Sequence, residues 1–251
     1  MMHGDMRWLH SVLFWSFFVA SSAVLFCVAL VLFVVTWPFD RDGRVLHLFS
    51  SGWAQLYFWV NPGWRLRIQG RERLPWHGPA VLVSNHQSLG DILVLFGLYR
   101  PFKWVSKASN FKLPFLGWNM YLNRYVALVR GDKESIARMM AECERWLERG
   151  VPVLLFPEGT RSPDNEMKPF KDGAFRLAHA KGCPLIPMVL TGTGDTLPKH
   201  GLLIRFRADC KVSVLEPVDP RAFPDPAALR DHVFGLMQRE KERLESGAAA
   251  P

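Results

Sequence analysis

At 251 residues, with 18 Pro and 19 Gly, the chain fits one globular domain plus an appendage, large enough to bury a core without disulfides or metal. Its cysteines (Cys27, Cys143, Cys183 and Cys210) are scattered, form no CxxC pair and have no His at ligand spacing. This excludes a zinc site and a secreted disulfide scaffold. The net charge of +8 calls for an acidic partner, but it is spread along the chain without a basic–aromatic nucleic-acid motif.

In chain order, the first element is an uncharged run from Ser11 to Trp37. As a helix it would set Trp8 and Trp37 ~44 Å apart, near the thickness of a bilayer with its headgroups. The run is longer than the apolar core of a cleaved signal peptide and ends at no small-residue site, so a retained membrane anchor is expected. Arg41 and Arg44 lie after it and Arg7 alone precedes it, which places the C-terminal remainder of the chain on the cytoplasmic face. Val45–Val60 interleaves Leu46, Phe49, Trp53 and Leu56 with His47, Ser50, Ser51 and Gln55. It reads equally as a helix lying in the membrane interface or as a core helix. Residues 1–60 are therefore set apart as anchor, 61–246 as the globular domain and 247–251 as a disordered tail.

After the Asn61-Pro62-Gly63 turn, short apolar runs alternate with helical stretches. Strands are predicted at Arg65–Gln69, Ala80–Ser84, Lys103–Ser106, Val153–Phe156, Leu185–Val189 and Lys211–Leu215. Helices are predicted at Ile92–Tyr99, Lys133–Arg149, Phe170–Ala180 and Ala227–Ser246. Such alternation implies an α/β fold, a mixed sheet covered by helices, preceded by the N-terminal membrane-associated segment.

Two segments carry chemistry. Asn85-His86-Gln87-Ser88-Leu89-Gly90-Asp91 lies between a strand and a helix. His86 is a candidate general base and Asp91 the group that would fix its tautomer. Five positions on one helix differ by ~140° in azimuth, so the pair meets only if His86 sits in the loop and Asp91 in the following first turn. Taken alone the pair is weak, and a capping or core-polar histidine competes with it. The second segment, Phe156 to Ser162, ends a buried-looking strand in Pro157-Glu158-Gly159-Thr160-Arg161. Backbone amides beside Gly159 and the Arg161 fork suit a phosphate or carboxylate, against the plainer reading of an ion-paired surface turn. Thr191-Gly192-Thr193-Gly194-Asp195 lacks dinucleotide-loop spacing and reads as a loop beside the site. His179 and His200 have no partner at useful spacing.

Together the two segments resemble the glycerolipid acyltransferase family, which includes the lysophosphatidic acid acyltransferases. The N-H-x-x-x-x-D block is matched by Asn85, His86 and Asp91, and F-P-E-G-T-R-S by Phe156 to Ser162. Lys107, Pro114, Gly117 and Val129-Arg130 fit the second block, although the family often has an acidic residue where Val129 stands. Pro184 to Val189 fits the fourth, and the likeness runs from Arg65 to Leu215. It implies that His86 deprotonates an acceptor hydroxyl, that Asp91 orients His86, and that no acyl-enzyme forms. It further implies that Arg130, Glu158, Gly159, Thr160 and Arg161, with Lys107, hold the acceptor phosphate and glycerol. Asn85 or nearby backbone amides would shape the site or stabilise the oxyanion. No metal and no bound cofactor are implied. The implied partners are a phospholipid membrane, a lysophospholipid acceptor, and acyl-CoA or acyl carrier protein as donor. Lysophosphatidic acid is the first expectation for the acceptor, another lysolipid the alternative and a thioesterase the third.

Overall fold

The computed structural model describes residues 4–162, 165–196 and 203–247. His200, and the expected tail beyond Gly247, lie outside the described residues. The elements in chain order are α1 (Gly4–Thr36), α2 (Arg44–Trp59), β1 (Trp64–Gln69), β2 (Val81–Ser84), α3 (Gly90–Phe96), β3 (Lys103–Lys107), α4 (Leu116–Leu122), β4 (Val126–Leu128), α5 (Lys133–Glu148), β5 (Val153–Leu155), α6 (Gly173–Lys181), β6 (Leu185–Thr191), β7 (Ala208–Val214) and α7 (Pro226–Ser246). The strands form one 7-stranded sheet in the order β1-β7-β6-β2-β5-β3-β4. β6 and β7 are antiparallel and every other neighbouring pair is parallel. The expected mixed sheet covered by helices is what the chain forms.

The central strands β2, β5 and β6 are buried from end to end. Their runs, VLVS, VLL and LIPMVLT, are the continuous apolar stretches that a sheet covered on both faces requires. Side chains alternate between two cores. Leu82, Leu154 and Ile186 face the core that contains residues of α1, α2 and α3. Val81, Val83, Val153 and Leu185 face the core of α5, α6 and α7. The chain leaves β2 into α3 on the first face and leaves β5 into α6 on the second. Since β2 and β5 are neighbours, the chain leaves their C-terminal ends toward opposite faces, the kind of switch point at which open α/β sheets bind ligands.

α2 packs as a core helix. Its polar residues His47, Ser50, Ser51 and Gln55 are all buried, alongside Trp53, Tyr57 and Phe58. Ser50 Oγ accepts from Asn119 Nδ2 and Asn123 Nδ2, His47 Nδ1 meets Tyr125 OH at 2.9 Å, and Gln55 Nε2 donates to Leu93 O. Burial first, and the nearby Lys103 charge second, hold the His47 imidazole down to about 3, so it is neutral. Lys103, itself buried, donates through Nζ to Asp42 O and Asn123 O, which ties the α1–α2 turn to β3 and α4.

α1 is long and apolar enough to cross a membrane by length and composition, with only 11% of its most apolar window buried. It nevertheless lies against the domain. Phe14 packs between Tyr57 and Trp64, Ser22 Oγ meets Tyr57 OH, and Phe26 packs on Phe115 and Trp118. α4 and β4 are not among the predicted elements.

Candidate active site

The loop after β2 is folded by Asp91. Its Oδ2 accepts from Gln87 N at 2.6 Å, Ser88 N at 3.1 Å and His86 Nδ1 at 2.7 Å. His86 lies in the loop and Asp91 in the first turn of α3, so side chains five positions apart meet. Asp91 is wholly buried, and its Oδ1 has no hydrogen-bond partner among the described residues. The His86 ring stacks on Phe156 with centroids 4.1 Å apart. Nδ1–H donating to Asp91 leaves Nε2 with its lone pair, the tautomer of a general base.

The turn after β5 grips the same loop. Glu158 is 4% exposed; Oε1 accepts from His86 N at 2.9 Å and Oε2 from Lys168 N at 3.3 Å. Ser162 N donates to His86 O at 2.9 Å, so both backbone groups of His86 are held from the Glu158–Ser162 segment. Burial pushes the Glu158 carboxyl up to about 7, against the pull of these two backbone N–H groups. Asn85 is turned the other way. Its Nδ2 donates to Leu190 O and its Oδ1 accepts from Leu190 N, which fastens the loop to β6.

The remaining expected residues line the C-terminal edge of the sheet outward from β2. Glu158 to Arg161 come after β5, Lys107 ends β3 and Arg130 comes after β4. Arg161 and Arg130 approach closely enough that burial first, and the Arg161 charge second, lower the Arg130 guanidinium from its ordinary value. Arg161 Nη1 is buried without a hydrogen-bond partner among the described residues. Two guanidiniums on one sheet edge, one with an orphaned buried nitrogen, offer donors of the kind that suit an anion. Thr160 is exposed, as is Lys107, which ends in no ion pair among the described residues. Gly159 has φ +71°, and a Cβ there would stand 2.8 Å from Lys171 Nζ. The aliphatic stem of Lys171 thus lies over the turn, while Lys168 Nζ donates to Arg161 O at 3.2 Å.

Sequence reasoning missed Lys168 and Lys171, six or more residues beyond the motif, and gave no part to Gln87, Ser88 or Thr193. Ser88 Oγ donates to Thr193 O at 2.7 Å, and Thr193 Oγ1 to Gln87 Oε1 at 3.0 Å. The Gly-Thr run after β6 therefore lies against the His86 loop. His179 lies elsewhere, with Nε2 3.4 Å from Phe223 O. Among the described residues no three His, Cys, Asp or Glu side chains are grouped to hold a metal ion.

A sequence model of the family described as Acyltransferase matches residues 65–191, half of the chain. A 1-acyl-sn-glycerol-3-phosphate acyltransferase of Chlamydomonas reinhardtii is 40% identical over 192 residues, covering 76% of this chain and 57% of that protein. A chloroplastic one of Brassica napus is 38% identical over 197 residues, with the same 76% and 57% covered. The chain thus spans a little over half the length of these curated relatives. The crystal structure of the 1-acyl-sn-glycerophosphate acyltransferase PlsC of Thermotoga maritima shares the fold, at a TM-score of 0.79 and 24% identity over 97% of this chain and 100% of that one. With its family blocks gathered on one sheet edge and the family's sequence model spanning half its length, this chain belongs to the acyltransferase family.

Proposed function

We propose that the chain transfers a fatty acyl group from a thioester, acyl-CoA or acyl carrier protein, to the free hydroxyl of lysophosphatidic acid, giving phosphatidic acid. The observation that carries this reading is the pairing of one buried His86–Asp91 dyad with two guanidiniums on the same sheet edge, Arg130 and Arg161, the latter with a buried Nη1 that has no partner among the described residues. The guanidiniums bind the acceptor phosphate, and Lys107 and Lys171 add positive charge. His86 Nε2 takes the hydroxyl proton as that oxygen attacks the thioester carbon. The carbonyl π pair moves onto oxygen. When it returns, the C–S bond breaks, and the thiolate leaves as a thiol with the proton from His86. Asp91 stabilises the intervening imidazolium. Glu158 serves as a positioning residue, since both its oxygens face backbone N–H groups.

The acceptor and product are lipids, and the apolar outer face of α1 suits the surface where they reside. We place that face in the lipid interface of the cytoplasmic leaflet, with the domain packed beneath it.

The test is acyl transfer by the purified protein from labelled acyl-CoA or acyl carrier protein to a panel of lysolipids. Labelled phosphatidic acid is expected, abolished by His86→Ala, with Arg161→Ala raising acceptor KM about 10-fold or more. Label appearing only as free fatty acid would instead make the chain a thioesterase.

A further inference from the structure

The dyad supplies a base, but the carbonyl oxygen that gains charge in the reaction proposed above also needs a hydrogen-bond donor. Most polar groups of the His86 loop are already engaged. The Asn85 amide is paired with the backbone of Leu190 at both ends. His86 N is held by Glu158, and Gln87 N and Ser88 N by Asp91. The Ser88 hydroxyl donates to Thr193 O and accepts from Gly90 N.

Gln87 differs. It is 5% exposed, and its Oε1 accepts from Thr193 Oγ1 at 3.0 Å. Its Nε2 has no partner among the described residues, yet is not among the orphaned atoms sealed from solvent. A buried side chain one residue from the general base thus has its oxygen end pinned and its donor end open. Thr193 is itself immobilised: it is wholly buried, and its carbonyl accepts from both Ser88 Oγ and Thr196 Oγ1. Gly90 completes the contact, since a Cβ there would stand 1.9 Å from Thr196 Oγ1.

We infer that Gln87 is a further catalytic residue, its side-chain NH2 donating to the thioester carbonyl oxygen as that oxygen becomes an oxyanion, with Thr193 as the positioning residue that holds the amide. This rests on the acyl transfer proposed above. In the transfer the acceptor oxygen bonds to the carbonyl carbon and its proton goes to His86. Gln87 donates a hydrogen bond to the oxygen that receives the π pair and exchanges no proton.

The experiment compares wild type, His86→Ala, Gln87→Glu, Gln87→Met and Thr193→Val in the same transfer assay, with melting temperature recorded for each. Gln87→Glu keeps an acceptor for Thr193 and lacks the NH2; Gln87→Met covers the case in which a carboxylate disturbs the loop. Loss of about 100-fold or more in kcat is expected for both Gln87 variants, with KM for each substrate within about twofold. Thr193→Val should lose less, about 10-fold. A dithioester donor, whose C=S accepts hydrogen bonds poorly, should be disfavoured by wild type and much less so by Gln87→Met. A folded Gln87 variant with kcat within threefold of wild type, or with wild-type preference for oxygen over sulfur, would overturn the inference. Wild type that transfers nothing would instead bring down the proposed activity itself.

Discussion

Glu158 carries a family-block position, yet its side chain does not reach outward. Both carboxylate oxygens accept backbone N–H groups, one from His86 and one from Lys168. In the proposed transfer a residue so placed acts through the position of His86, where displacements of about 1 Å can change rates by about 100-fold. Glu158→Gln keeps one oxygen for His86 N and presents an NH2 group to Lys168 N. It should lower kcat by about 10-fold or more and leave acceptor KM within about twofold, read from steady-state kinetics with acceptor varied. A rise in acceptor KM at constant kcat would make Glu158 a substrate contact instead. The same carboxyl has a pH signature. Burial raises it in the folded chain from 4.5 to about 7, so the folded state holds the proton more tightly. Its stabilising contribution is fully present below about pH 4.5 and is lost as pH rises through about 7. Melting temperature should therefore fall less over that window in Glu158→Gln than in wild type.

At the scale of elements, two glycines of the site edge share a backbone conformation and differ in what surrounds them. Gly159 has φ +71° and Gly192 φ +78°, so alanine at either is strained by about 1–3 kcal/mol. At Gly159 the added Cβ meets the end of the Lys171 side chain, which can swing away. At Gly192 it would stand 2.1 Å from Asp209 O, a backbone atom of β7. Gly192→Ala must therefore separate β6 from β7 where Thr193 holds the His86 loop. It should lower the melting temperature well beyond Gly159→Ala and reduce kcat with it; equal melting temperatures would contradict this account. Neither contact is visible in the sequence, because the partner lies in another strand or beyond the motif. The legible features have local causes: the apolar runs of β2, β5 and β6, the α5 period, and a His and an Asp at a spacing that loop and first turn reconcile. α2 is ambiguous in sequence because its polar stripe is satisfied by Asn119, Asn123 and Tyr125, about seventy residues downstream. The turn after β6 reads from its composition as a loop beside the site, while its grip on Gln87 and Ser88 depends on side-chain directions that no spacing encodes.

At the scale of the molecule, α1 has two apolar faces with different fates. One packs on the domain from Phe14, against Trp64, to Phe26, against Trp118. The other carries Leu13 61%, Val24 65%, Val31 62% and Val35 60% exposed, a stripe at helical spacing. A helix of 33 residues is about 50 Å long. If it crossed a bilayer upright, the packed face would drag the domain into the hydrocarbon. Lying flat, it wets only the outer stripe with lipid and sets the helix beside the domain at the surface where a lysolipid resides. Val24→Lys with Val31→Lys separates the two arrangements. Both positions face outward, so the fold should persist with a melting temperature near that of wild type. Charges on the lipid-facing stripe should weaken binding to phosphatidylcholine vesicles about 10-fold or more in a flotation assay, and transfer to lysolipid held in vesicles should fall in parallel. Transfer to a lysolipid presented in detergent micelles should be nearly unchanged, because the dyad and the guanidiniums are untouched. Undiminished flotation of the double variant would mean that the exposed stripe of α1 is not the surface that meets the membrane.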